Sequence, residues 1–200
     1  MRLSELLESE LPMDGPSRAA RAKALGFTTV AYHGTGAKFN EFQLGKPSVI
    51  GGHGVNFADD PEEARGYAKE KGRKGHVLTC LLRVRKSFPV WYGDDTLIPA
   101  ADYKKIVGRP ADPKDKSALL GKNIFQELER QIGWEDKLGF WNEVYRRLAA
   151  AGYDALYYKR VPGDHIDAYY NKFIVFDPRN IRLIDAAFDP AKSDSADLLA

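Results

Sequence analysis

Phe27-Thr28-Thr29-Val30-Ala31-Tyr32-His33-Gly34-Thr35-Gly36 carries threonine, valine and aromatic side chains at the density of a β-strand, then stops in a turn bracketed by glycines. The pattern predicts a strand over 27–33 with His33 at its end, where chemistry can begin. No G-x-G-x-x-G follows this first strand, so a doubly wound dinucleotide-binding sheet is set aside. Upstream, residues 2–11 read as a short acidic helix and Ser17 to Leu25 as a second, with Asp14 or Ser17 as N-cap and Gly26 as the stop. Residues 1–26 are therefore expected to brace a domain that spans 27–190.

Downstream, residues 39–54 are glycine-rich and polar and predict a loop, followed by a short strand at Val55 to Ala58. Asp59-Asp60-Pro61 caps a helix running to about Lys71, with Glu62 and Glu63 in its favourable first turn. Val77 to Val84 is continuously apolar, as in a central strand. Residues 94–122 are broken by Pro99, Pro110 and Pro113 and present no obvious apolar face, whereas 123–132 and 137–151 have apolar residues at helical spacing. Residues 94–150 thus read as a helical insertion. Ala155 to Tyr158 and Phe173 to Phe176 return to strand composition, and residues 191–200, rich in small side chains, are expected to form a flexible tail. Strands separated by helices give an α+β class.

Composition narrows the function. The chain has 200 residues, 44% of them hydrophobic, enough for one domain with a real core. Thirty basic residues against 28 acidic ones leave a formal charge of +2, which demands neither nucleic acid nor an anionic membrane. Cys80, the only cysteine, sits in an apolar run and reads as a small buried hydrophobe. The four histidines show no close pair, so no metal site is expected. The run Lys69 to Lys74 reads as a solvated helix end, and no secretory signal or membrane span of roughly 20 apolar residues is expected.

Three ordered blocks, Tyr32-His33-Gly34-Thr35, Gly54-Val55-Asn56-Phe57-Ala58-Asp59 and Ala64 to Tyr67, resemble the NAD-binding core of diphtheria-toxin-like and poly-ADP-ribose-polymerase-like ADP-ribosyltransferases. Gly152-Tyr153-Asp154-Ala155-Leu156 and Phe173-Ile174-Val175-Phe176-Asp177-Pro178, with Asn180-Ile181-Arg182, resemble the closing strands of such domains in phage and mobile-element polyvalent proteins. The resemblance implies a split β-sheet core with flanking helices. It further implies NAD as substrate, no metal, a protein or nucleic-acid acceptor, and a soluble, monomeric, cytoplasmic protein, delivered by a phage or acting as a toxin-like effector.

Such a transferase must fix a ribose, clamp a cationic nicotinamide and stabilise an oxocarbenium-like centre as the glycosidic bond breaks. By resemblance, His33 bonds a ribose hydroxyl while Gly34 and Thr35 hold the carboxamide side. Tyr67 stacks on the ring, and Asn56 and Phe57 line its pocket, although Phe57 also fits a core position. Many relatives place a glutamate just before the last strand, where this chain has Lys172, and a lysine there repels a developing cation. Asp167 is the first choice for the missing acid, Asp164 lies nearby, and Asn171 bonds the ribose without charge. The expected activity is mono-ADP-ribosylation. The alternative is an NAD-binding or protein-interaction module that has lost turnover.

Overall fold

The computed structural model describes residues 11–44, 54–70, 75–90, 95–159 and 172–200. The helix expected at 2–11 lies outside them. Helix α1 (Gly15–Ala24) starts on the side chain of Asp14, which accepts from the Ser17 amide at 2.9 Å, and is followed by Gly26 in the left-handed region. Of the two N-caps the sequence offered, Asp14 is the one used. Arg18 and Arg21 on this helix donate to the carbonyls of Asp185 and Ala187, each at 2.8 Å, so the brace grips the far end of the chain.

Among the described residues seven strands form one sheet: β1 (Thr29–Thr35), β2 (Val55–Ala58), β3 (His76–Leu82), β4 (Ser87–Pro89), β5 (Ala155–Tyr158), β6 (Lys172–Val175) and β7 (Ile181–Leu183). Their order is β4-β5-β6-β2-β1-β3-β7, with β4 and β5 parallel and the other pairs antiparallel. β1 runs two residues further than predicted because β3 starts early enough to pair with it, from Thr29 opposite Leu82 to Thr35 opposite His76. On its other edge β1 meets β2 at Tyr32 opposite Ala58, and no further register is shared. The sheet is therefore split between β2 and β1. Helix α2 (Pro61–Glu70) lies across β1 and β3 beside that split.

The excursion expected as an insertion builds the larger of the cores. Helices α3 (Ala100–Val107), α4 (Gly121–Ile132) and α5 (Lys137–Ala150) pack Ile106, Ile124, Leu128, Phe140 and Leu148 against Phe88, Leu156 and Ile174 of the sheet. Helix α3 corrects the expectation of a polar stretch: Tyr103, Ile106 and Val107, spaced three and four apart, form a buried stripe around Lys104 and Lys105. Arg147 fastens the three helices, donating to the Ile106 carbonyl at 3.2 Å and to Gln131 Oε1 at 2.8 Å. Arg146 and Arg147 also bond the Glu143 carboxylate and hold it down at about 2. A second cluster joins Ala31, Phe42, Phe57, Cys80, Leu82, Val175, Ile181 and Leu198. Cys80 is fully buried, which raises its thiol to about 12.

Residues 191–200 were expected to be a loose tail, and here the structure differs. Leu198 is only 1% exposed, and the Leu183, Ala187 and Phe188 amides donate to the carbonyls of Leu198, Leu199 and Ala200 at 2.9–3.0 Å. Arg182, equally buried, donates to the carbonyls of Lys192 at 3.2 Å and Ser195 at 2.8 Å. The tail is held by its backbone, which side-chain composition does not reveal. No described helix is long and apolar enough to cross a membrane.

Candidate active site

The split places His33 where β1 leaves β2. Its Nδ1 lies 2.8 Å from the Asn56 carbonyl oxygen. A carbonyl only accepts, so Nδ1 carries the proton and Nε2 keeps a lone pair. The ring is enclosed by Phe42, Phe57 and Phe39, with centroids at 4.8, 5.6 and 6.4 Å. Burial among these rings pulls the imidazole pKa below its ordinary 6.5, outweighing the bond to Asn56, so His33 is neutral at physiological pH. The result is a fixed, uncharged acceptor at the mouth of the split. His76, opposite Thr35 in register, shares the β1–β3 face of His33, a proximity the sequence did not suggest.

Gly34 has a structural duty that the sequence did not reveal. A Cβ built there falls 1.8 Å from the Ala64 carbonyl oxygen and 2.8 Å from its carbon, so only glycine lets α2 settle on β1. Gly75 does the same before β3, where a Cβ would lie 2.3 Å from the Ala68 carbonyl oxygen. Together they seat the turn of helix that carries Tyr67. Thr35 Oγ1 accepts from the Ala37 amide at 3.1 Å, forming the turn after the strand.

Tyr67 is 47% exposed, which excludes the core-packing role otherwise open to a helix aromatic. Its hydroxyl accepts from Lys172 Nζ at 3.1 Å, and the same ammonium lies 5.6 Å from its ring centroid. One helical turn earlier, Glu63 Oε1 sits 2.8 Å from Lys172 Nζ. Lys172 reaches both because it opens β6 opposite Ala58, the residue from which the chain turns into α2. Burial opposes the lysine's charge, but the bonds to Glu63 and Tyr67 outweigh it and raise its pKa, so it stays protonated.

A seven-stranded sheet that parts between β2 and β1, with helices packed on it, is the α+β core that the sequence resemblance implied. A family model for ADP-ribosyltransferase in polyvalent proteins matches residues 24–188. The chain belongs to this family. No curated protein and no solved structure matches it. The matched region of this ADP-ribosyltransferase domain runs from the end of α1 past β7 and contains every candidate residue named from the sequence.

Within the transferase domain, His33, Gly34 and Thr35 close β1, the Asn56 carbonyl on β2 meets the His33 ring, and Tyr67 lies on α2, which packs on the Gly34 face of β1 while the His33 ring turns to the other face. Phe57 does not present itself to a ligand: at 2% exposure it packs behind His33, because successive strand residues alternate faces and Asn56 takes the exposed one. Asp164, Asp167 and Asn171 lie outside the described residues. The pairing of Glu63 with Lys172 was missed because an acid in a first helical turn reads as a response to the helix dipole. A polar cleft lined by Arg109, Asp115, Asn123 and Glu127 shares no residue with the split.

Proposed function

We propose that this domain is a mono-ADP-ribosyltransferase that cleaves NAD at the nicotinamide–ribose bond and passes single ADP-ribose units to a protein or nucleic-acid acceptor. The observation that carries the proposal is the tautomer-locked, neutral His33 at the break in the sheet. Its Nε2 accepts a ribose hydroxyl, and its neutrality spares the cationic nicotinamide a like charge. The exposed face of Tyr67 stacks on that ring, Thr35 and the Gly34 backbone take the carboxamide side, and Asn56 closes the pocket. Asp167 and Asn171, on the segment before β6, are proposed to contact the ribose. As the C1′–N bond breaks, its electron pair leaves with nicotinamide; an acceptor nucleophile then bonds C1′ and releases its proton. The setting is the cytoplasm of a cell into which a phage or effector system delivers the protein.

A second proposal, a module that binds NAD without turnover, has one specific support: Lys172 stands where relatives carry an acid, and its ammonium lies against the Tyr67 ring. Incubation with NAD labelled on the adenylate, with and without cell lysate, tests the two. Transfer of label to macromolecules together with nicotinamide release supports the transferase. NAD binding by calorimetry without release supports the module, and no binding defeats both.

A further inference from the structure

Glu63 occupies an unusual position for a helix-surface carboxylate. Its side chain is 10% exposed, against 66% for its neighbour Glu62, which pairs with Arg65 on the outer face of α2. Oε1 is bonded to Lys172, but Oε2 is buried and has no hydrogen-bond partner among the described residues. A buried, unpaired carboxylate oxygen is costly, and such groups persist where a ligand completes them. Tyr67, the ring-stacking residue, follows one turn later on the same helix and is bonded to the same ammonium. Strand β6 brings a cation to the site, and helix α2 brings the carboxylate.

We propose that Glu63 is the acidic residue of the transferase site, with Lys172 as its counter-ion, so that the carboxylate enters from α2 rather than from the last strand. This rests on the transferase function proposed above. Oε2 accepts a hydroxyl of the ribose that carries nicotinamide, and its charge lies beside C1′ as the glycosidic bond breaks. The bond to Lys172 through Oε1 fixes the carboxylate orientation, and the cation is neutralised by the acid it holds. The repulsion expected of a lysine at 172 is thereby answered within the site.

The test measures nicotinamide release and NAD affinity on the full chain, with thermal unfolding as a check on each variant. E63Q preserves shape and removes charge; it is expected to lower kcat by about 100-fold while NAD affinity stays within about threefold. E62Q is expected to match wild type. The single variants E63K and K172E place like charges together and are expected to be inactive. The exchange E63K/K172E restores the pair with the acid on β6, and is expected to recover release at least about tenfold over E63K. E63Q within about threefold of wild-type kcat, or an exchange variant no better than E63K, overturns the assignment of Glu63 and leaves the transferase standing. Wild type that binds NAD but releases no nicotinamide likewise removes the acid role, whereas wild type that fails to bind NAD removes the proposed function itself.

Discussion

The two ends of the sheet are built on different terms. Under α3, α4 and α5, β4, β5 and β6 meet a continuous layer of Phe88, Ile106, Leu128, Phe140, Leu148 and Leu156, where Lys86 bonds Asp102 at 2.6 Å and Tyr153 donates to the same carboxylate at 3.2 Å. At the β1–β2 split the strands share one register position, and His33, Glu63 and Lys172 are partly or largely withdrawn from water, with one carboxylate oxygen unpaired among the described residues. The first region supplies stability through packing. The second spends some of that stability on holding polar groups in place, as ligand sites do.

The largest effect that tests this contrast is in the helical half. Phe140→Ala leaves a cavity between α5 and α4 and is expected to cost about 3–5 kcal/mol by denaturant unfolding. A loss below about 1 kcal/mol would mean that this layer is not the main core. Next, Gly34→Ala drives a methyl into the Ala64 carbonyl, with an expected cost of about 1–3 kcal/mol and loss of nicotinamide release as α2 lifts. Retained release would separate the seating of Tyr67 from activity. Arg182→Ala leaves the Lys192 and Ser195 carbonyls without their donor, at an expected cost of about 1–3 kcal/mol, and limited proteolysis should then cut within 191–200.

The smallest effect is the pH dependence of the split. The His33 pKa in the fold lies below 6.5, so the unfolded chain takes up its proton first as pH falls. Its contribution to stability is therefore complete above pH 6.5 and is lost as pH drops through the folded value. Lys172 acts in the opposite sense, with a folded pKa above 10.5: its contribution is complete below 10.5 and is lost as pH rises through the folded value. Unfolding midpoints measured from pH 5 to 11 should show both flanks, and His33→Gln should flatten the acid one. An acid flank unchanged in that variant would assign it to other groups.

How much of this was legible follows from where each signal resides. β1, the turn after His33, α2 and α5 were readable because strand composition, caps and helical periodicity are local. The apolar stripe of α3 was missed because Lys104 and Lys105 interrupt a helix only eight residues long. The packed tail was missed because backbone carbonyls, captured by a buried arginine, hold it. Glu63 was missed for a third reason: its partner belongs to β6, remote in sequence, and only the pairing of Lys172 opposite Ala58 brings the two charges together. Gly34 was credited only with making room for a ligand, when its missing side chain makes room for a helix.

The most direct test of the central claim compares nicotinamide release by wild type and His33→Ala, with NAD affinity and unfolding midpoint measured alongside. If a neutral histidine at the split anchors the ribose, release by the folded variant falls by about 100-fold or more. Undiminished release by a folded His33→Ala protein would contradict the account.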